Sequence, residues 1–152
     1  AVLKGAGRSS ALYGLLCKAY VRLYSLTSYV DFLGPRNDVP QLMRGALALV
    51  VASRTEGFGL TAVEAMSQGC IVIGNDTTGM KEQFDRGKGL AGDEIGFRYN
   101  GVLELARALE LSSENKDFSA LPDRARQVVL SEYPVSRMVG NIEDFYLKVL
   151  NR

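Results

Sequence analysis

One stretch of the sequence, residues 47–74, constrains the fold more than any other because its apolar pattern changes twice within a short distance. Leu47–Ala52 is an apolar run rich in Val and Leu, which predicts a strand that is covered on both faces. Residues 53–59 interrupt this run with polar side chains and two glycines. Leu60–Gly69 has the composition of a helix that ends at a glycine, and Ile71–Gly74 is an apolar strand again. Strand, loop, helix and strand in this order form a βαβ unit, so the sequence predicts an α/β fold with a parallel sheet.

The loop of this unit lies where a ligand is expected. It follows the carboxyl end of a strand, which is the edge at which open α/β sheets bind their ligands. A helix that begins near Leu60 has unpaired N–H groups and partial positive charge at its start, so it favours an anion such as a phosphate. Gly57 and Gly59 allow the backbone to bend tightly and to approach a ligand closely, because neither has a Cβ.

Two acidic residues flank this predicted anion site. Glu56 lies in the loop, and Glu64 lies about one turn inside the helix. A carboxylate repels a phosphate, but it accepts hydrogen bonds from the hydroxyl groups of a sugar or a ribose attached to that phosphate. The alternative is that both side chains only favour the helix N-terminus electrostatically. For either residue alone, the sequence leaves both interpretations open.

The combination of residues around the loop resembles a known family. Glu56–Glu64, read as Glu-Gly-Phe-Gly-Leu-Thr-Ala-Val-Glu, resembles the Glu-x7-Glu signature of retaining family-4 glycosyltransferases with the GT-B fold. Val30–Gly34 is similar to the V-x-F-x-G strand of that family, Thr78–Glu82 to its G-G-x-x-E turn, and Gly96-Phe97 to the start of a later strand. The resemblance implies a Rossmann-like parallel sheet with helices on both faces, which forms one half of a GT-B glycosyltransferase.

The resemblance also implies an activity and a set of site residues. Enzymes of the family move a sugar from a nucleotide-diphosphate sugar to an acceptor with retention of anomeric configuration, and in general they use no metal and no cofactor. Glu56 would contact the donor sugar as the catalytic residue, and Glu64 would bind the ribose hydroxyls. The diphosphate would be bound by the backbone N–H groups of Gly57, Phe58, Gly59, Leu60 and Thr61. The donor is expected to be a UDP-, GDP- or ADP-linked sugar.

The predicted pocket for the nucleotide base lies elsewhere in the sequence. By the same resemblance, the segment that follows Gly34 lines this pocket, and Arg36 stacks on the base or approaches the phosphates. The alternative for Arg36 is a solvated arginine in a loop. The sequence favours neither interpretation over the other.

The resemblance covers only part of such an enzyme. It implies that residues 1–152 form the C-terminal donor-binding domain without its first strand and without the N-terminal acceptor domain of the same enzyme. The missing strand is the one that an Arg and a Lys follow to grip the diphosphate in the family. Ala1–Lys4 predicts the end of a later strand. We therefore expect the isolated chain to be inactive whatever the parent enzyme does.

Composition excludes several other classes of function. A net charge of +1 without a basic tract gives no case for nucleic-acid binding, and the absence of histidine excludes a histidine base or metal ligand. Cys17 and Cys70 lack a metal-ligand spacing and are interpreted as reduced core residues of a cytosolic protein. We expect a cytoplasmic location, with membrane contact at the inner face only through the parent enzyme.

A sugar-nucleotide epimerase-like domain and a catalytically silent nucleotide-binding domain on the same fold are the competing hypotheses.

Outside the central unit, the sequence predicts mostly helices. Lys81–Phe84 is predicted as a short helix, and residues 85–94, with three glycines, as a flexible loop. Helices are also predicted over residues 102–111 and 121–132, and a last helix follows Pro134. The last helix has a long apolar stripe that either closes the core of this domain or faces a partner domain.

Overall fold

The computed structural model describes residues 8–114 and 119–150, and the chain divides into two compact units, Ala1–Val39 and Pro40–Arg152. The predicted strand end at Ala1–Lys4 lies outside the described residues. The prediction that residues 1–152 form one donor-binding domain stays a prediction.

The first unit contains one described helix, α1 (Arg8–Leu23), followed by turns and irregular backbone up to residue 38. The prediction of a strand at Val30–Gly34 is wrong. A strand requires a neighbour for its backbone N–H and C=O groups, and this segment pairs with none of the three strands that the structure describes. Phe32 lies under the ammonium group of Lys18, 5.7 Å from Nζ to the ring centroid.

The second unit is built on a parallel sheet with strand order β1-β2-β3. After the short helix α2 (Val39–Gly45), β1 (Ala48–Val51), α3 (Leu60–Ser67) and β2 (Ile71–Asn75) form the βαβ unit that the sequence predicts. β3 (Phe97–Tyr99) pairs with β2 on the other side. The βαβ prediction is therefore confirmed.

Helices cover both faces of this sheet. Ile71 and Ile73 of β2 pack with Ala108 of helix α5 (Val102–Glu114) in one buried cluster. Gly74 lies on the other face of the sheet, and Met80 and Phe84 pack against it there. They are so close that a Cβ on Gly74 would be 2.6 Å from Met80 Cε. The alternation of neighbouring residues along β2 thus places helices on opposite sides, as the predicted fold class requires.

β1 is less buried than the sequence predicts. Val50 is 36% exposed, and Leu47, just before the strand, is 57% exposed. In the described sheet β1 is an edge strand, with β2 on one side only. The prediction of a strand covered on both faces therefore holds for β2, which is buried from Ile71 to Gly74, and not for β1.

The segment after β2 is a single long helix, α4 (Thr78–Ala91), so the predicted short helix with a following loop is wrong. Gly87 allows close packing here and does not mark a loop, since a Cβ at this position would lie 2.7 Å from Ile95 Cγ1. Gly92 ends the helix with a left-handed φ of 75°. Arg86 and Asp85 also form ion pairs with other parts of the unit.

The last two helices are α6 (Leu121–Glu132), which packs against α3 and α4, and α7 (Val135–Leu150). No residue of α7 is buried, so the interpretation that its apolar stripe closes the core of this domain is wrong. The stripe residues are all exposed: Val135, Met138, Val139, Ile142, Phe145, Tyr146 and Val149. No helix in the described part of the chain has both the length and the apolar character to span a bilayer.

Candidate functional site

The candidate site lies at the carboxyl edge of the sheet, where residues 53–59 connect β1 to α3. The strands are in register, with Val51 opposite Gly74 and Asn75 opposite Tyr99, so the ends of β1 and β2 lie side by side. The residues that follow β2 are consequently next to the loop. They hold it in place.

The first residues of α4 bind the backbone of Glu56. The backbone N–H of Glu56 donates to Thr78 Oγ1 at 3.0 Å, and the same hydroxyl donates to the Glu56 carbonyl at 2.9 Å. The N–H of Gly79 donates to that carbonyl as well, at 3.0 Å. Three hydrogen bonds between Glu56 and two consecutive residues, Thr78 and Gly79, thus fix the position of the Glu56 backbone at the start of α4.

Three further carbonyl groups of the loop accept hydrogen bonds from side chains of β2, of α4 and of the segment between them. Asn75 Nδ2 donates to the carbonyl of Ser53 at 3.2 Å, and Thr77 Oγ1 donates to that of Arg54 at 3.3 Å. The side-chain amide of Gln83 donates to the carbonyl of Phe58. The loop therefore turns its carbonyl oxygens toward β2 and α4.

The backbone N–H groups that follow Glu56, at the end of the loop and the start of α3, have no acceptor among the described residues. The carbonyl of Gly59, whose φ is 78°, accepts the first bonds of α3, from the N–H groups of Ala62 and Val63. Within residues 8–114 and 119–150, no acceptor is bonded to five successive N–H groups, those of Gly57, Phe58, Gly59, Leu60 and Thr61. Donors of this kind at a helix start favour a negatively charged group.

The two predicted acidic residues flank these donors along the chain. Glu56 is half-buried beside the loop, and Glu64 is exposed on the second turn of α3. Neither carboxylate forms an ion pair with any Lys or Arg in the described parts of the chain. No described basic side chain therefore neutralises the charge of either carboxylate.

A cavity of about 440 Å³ opens on one side of the loop. Gly57, Phe58 and Leu60 line it, whereas Glu56 and Glu64, both described, are not among its lining residues. Its opposite wall comes from the junction between α6 and α7. The aromatic rings of Phe58 and Tyr133 meet edge to face there, with their centroids 5.2 Å apart.

A charged cluster on the wall of this cavity was not predicted from the sequence. Glu132 at the end of α6 accepts hydrogen bonds from Arg86 of α4 and Arg137 of α7, each at 2.6 Å. These bonds, that from Arg86 first, hold the pKa of Glu132 below its usual range. Burial raises the pKa of the neighbouring Tyr133. The three charged residues lie up to 51 positions apart in sequence, Arg86 to Arg137, and no motif connects them.

Gly34 and Arg36, the residues predicted to lie at the nucleotide base, belong to the first unit. Gly34 has a left-handed φ of 67°. The guanidinium of Arg36 forms two hydrogen bonds with the carboxylate of Asp38, at 2.7 and 2.5 Å. Their contact with a base stays a prediction.

No group of three or more His, Cys, Asp or Glu side chains suited to a metal ion occurs among the described residues.

Both a family model and curated relatives match the sequence of this chain. The family model described as glycosyl transferases group 1 matches residues 16–125. N-acetyl-alpha-D-glucosaminyl L-malate synthase of Bacillus anthracis is 29% identical over 121 residues, which cover 80% of this chain and 31% of that protein. UDP-Gal:alpha-D-GlcNAc-diphosphoundecaprenol alpha-1,3-galactosyltransferase of Escherichia coli is 27% identical over 124 residues, which cover 78% of this chain and 30% of that protein.

The fold is also that of a solved structure. The Anabaena protein HepE, in complex with UDP, superposes with a TM-score of 0.82 and 23% identity, over 94% of this chain and 39% of that one. The same protein has been solved in complex with UDP-glucose. The chain spans about a third of the length of these two curated relatives and of HepE.

Proposed function

Because this chain belongs to the group 1 glycosyltransferases, we propose that it forms the donor-binding domain of a retaining enzyme that transfers a sugar from a nucleotide-diphosphate sugar to an acceptor. One observation carries the proposal: five backbone N–H groups, from Gly57 to Thr61, have no acceptor among the described residues and lie in sequence between two carboxylates with no described ion-pair partner. The N–H groups suit a diphosphate, and the carboxylates suit the hydroxyl groups on either side of it.

The backbone donors act on the leaving group. When the glycosidic bond of the donor breaks, negative charge grows on the departing nucleoside diphosphate. The N–H groups of residues 57–61 stabilise that charge, and the hydrogen bonds from Thr78, Gly79 and Gln83 already hold the loop in place. Donors that are fixed before the reaction need no reorganisation in the transition state, which makes electrostatic stabilisation effective.

The two carboxylates act on neutral groups of the donor. Glu56 binds the hydroxyl groups of the donor sugar, and near the anomeric carbon its charge favours an oxocarbenium-like transition state, as in glycosidases. Glu64 accepts hydrogen bonds from the ribose. Transfer proceeds with retention of the anomeric configuration and without a metal ion.

A UDP-linked sugar is the first donor to test. The E. coli relative carries UDP-Gal in its name, and HepE has been solved in complex with UDP and with UDP-glucose. GDP- and ADP-linked sugars are the other members of the panel. The acceptor binds mainly to the part of the enzyme outside this chain, and we place the enzyme in the cytoplasm.

A thermal-shift experiment tests nucleotide binding. In the full-length protein that contains this chain, UDP is expected to raise the melting temperature more than GDP or ADP does. Ligand at 100 times its dissociation constant stabilises a protein by about 2.7 kcal/mol. Glu64→Ala should weaken UDP binding by roughly 10- to 100-fold, since a hydrogen bond to a charged group contributes about 1.5–3 kcal/mol. Glu110→Ala, on an exposed face of α5, is the matched control.

A turnover experiment tests the reaction. Glu56→Gln in the full-length protein is expected to lower kcat for release of UDP from UDP-glucose by about 100-fold or more. Nuclear magnetic resonance of the transferred sugar should show the anomeric configuration of the donor. Binding without turnover of any nucleotide sugar would favour the silent domain, and conversion of the sugar without transfer would favour the epimerase-like enzyme.

A further inference from the structure

We propose that Thr78 is a positioning residue for Glu56, and that its hydroxyl sets the direction in which the Glu56 carboxylate faces the donor sugar. The inference rests on the proposed function, because it assigns Glu56 to the donor sugar. It starts from a contact between residues 22 positions apart: the Thr78 hydroxyl accepts from the N–H of Glu56 and donates to its carbonyl.

The backbone of Thr78 is strained. Its φ is 41°, in the left-handed region that a β-branched residue rarely adopts. Ser25 is the other residue besides glycine with a positive φ in the described parts of the chain, and it lies in the first unit. A glycine would adopt this conformation without cost. What threonine adds at this position is the hydroxyl group, and that group binds Glu56.

The two hydrogen bonds control the position of the whole residue. They fix the N–H and the C=O of Glu56 at once, and the N–H of Gly79 reinforces the bond to the carbonyl. With both backbone groups fixed, the direction of the Cα–Cβ bond of Glu56 is fixed as well. A displacement of a reacting group by about 1 Å lowers a rate by roughly 100-fold, so a small rotation of this residue is sufficient to slow the reaction.

The contact between Thr78 and Glu56 contributes less to the stability of the domain than to the rate of the reaction. Thr78 is exposed, so water can replace the hydroxyl in both hydrogen bonds when it is removed. A mobile water satisfies the N–H and C=O groups of Glu56 without fixing their positions, so loss of the hydroxyl should displace Glu56 without unfolding the domain. This separation between rate and stability distinguishes a positioning role from a structural one.

Three variants of the full-length protein test the inference. Thr78→Val keeps the shape and removes the hydroxyl, Thr78→Ser keeps the hydroxyl, and Thr78→Gly removes both the hydroxyl and the strain. For each we measure the release of nucleoside diphosphate from UDP-glucose, UDP-galactose, GDP-mannose and ADP-glucose, the affinity for UDP, the melting temperature, and hydrogen exchange of the peptide that contains Glu56.

Thr78→Val and Thr78→Gly are expected to lower kcat by roughly 10- to 100-fold, with KM for the donor and UDP affinity changed by less than about 2-fold. Thr78→Ser should restore most of kcat. Thr78→Gly should melt at the wild-type temperature or above it while remaining slow, because it relieves strain. The Glu56 peptide should exchange faster in both variants that lack the hydroxyl.

Other outcomes overturn the inference. If Thr78→Val turns over normally while Glu56→Gln does not, Thr78 has no positioning role and the proposed function stands. If kcat follows the melting temperature across the three variants, the role of Thr78 is structural. If Glu56→Gln turns over normally, or if the wild-type protein turns over no donor of the panel, the proposed function fails and the inference fails with it.

Discussion

Gly79 and Gly57 touch through their backbones, at the point where α4 meets the loop of the candidate site. A methyl group on Gly79 would overlap the carbonyl group of Gly57, lying 2.7 Å from its carbon, and would lie 2.8 Å from the Glu56 oxygen. These neighbours are backbone atoms, which cannot rotate away as a side chain does. The loop and the helix therefore approach each other as closely as they do only because residue 79 has no Cβ.

We expect Gly79→Ala to destabilise the protein by about 1–3 kcal/mol, which is the usual effect of inserting a methyl group into a filled space. The measurement is chemical denaturation of the full-length protein. Gly57→Ala is the control for stability, since a Cβ on Gly57 would meet no atom within 4 Å. Equal effects of the two variants would show that the close approach does not exist.

A second prediction tests whether residues 85–91 are helical. Gly87→Ala should destabilise the protein by about 1–3 kcal/mol, because its methyl group would collide with the buried side chain of Ile95. Gly89→Ala, in the same helix with no atom within 4 Å of its Cβ, should instead stabilise it by roughly 0.5–1 kcal/mol. Opposite signs in denaturation experiments support a continuous α4. A flexible loop would give small effects of similar size at both positions.

The sequence predicts the parts of the fold that depend on local pattern. The βαβ unit from Ala48 to Asn75 follows from two apolar runs and one amphipathic segment that ends before Gly69. The prediction of a loop from the glycines after Phe84 is wrong, because composition does not distinguish a glycine that allows close packing from one that allows flexibility. Val30–Gly34 has the residues of a strand but no partner among the described strands, and pairing is not a property of the segment itself.

The same distinction holds for the candidate site. Glu56 and Glu64 lie eight positions apart and were predicted from a local motif and its resemblance to a family. The hydroxyl of Thr78 and the cluster around Glu132 arise from contacts between distant parts of the chain. The resemblance of Thr78–Glu82 to a family turn does not indicate the contact with Glu56, because a single sequence does not show which distant residues meet.

A third prediction concerns metal ions. We expect EDTA to leave the turnover of the full-length protein unchanged, because in the proposed mechanism the backbone N–H groups of residues 57–61, and not a cation, stabilise the charge of the diphosphate. The measurement is release of UDP from UDP-glucose with and without chelator. Loss of activity that Mg²⁺ or Mn²⁺ restores would contradict this prediction and would require metal ligands outside the described residues or on the substrate.

The last prediction concerns the dependence of stability on pH. Hydrogen bonds from Arg86 and then Arg137 lower the pKa of Glu132 in the folded state, so the charged carboxylate stabilises the fold. This contribution is fully present above the unfolded pKa of about 4.3 and is lost as the pH falls through the lower folded pKa. Glu132→Gln should therefore lower the melting temperature at pH 7, and the difference from the wild type should shrink below about pH 4. Glu143→Gln, on the exposed α7 and outside this cluster, is the matched control. A difference that stays constant down to pH 3 would mean that the charge of Glu132 does not join α4, α6 and α7.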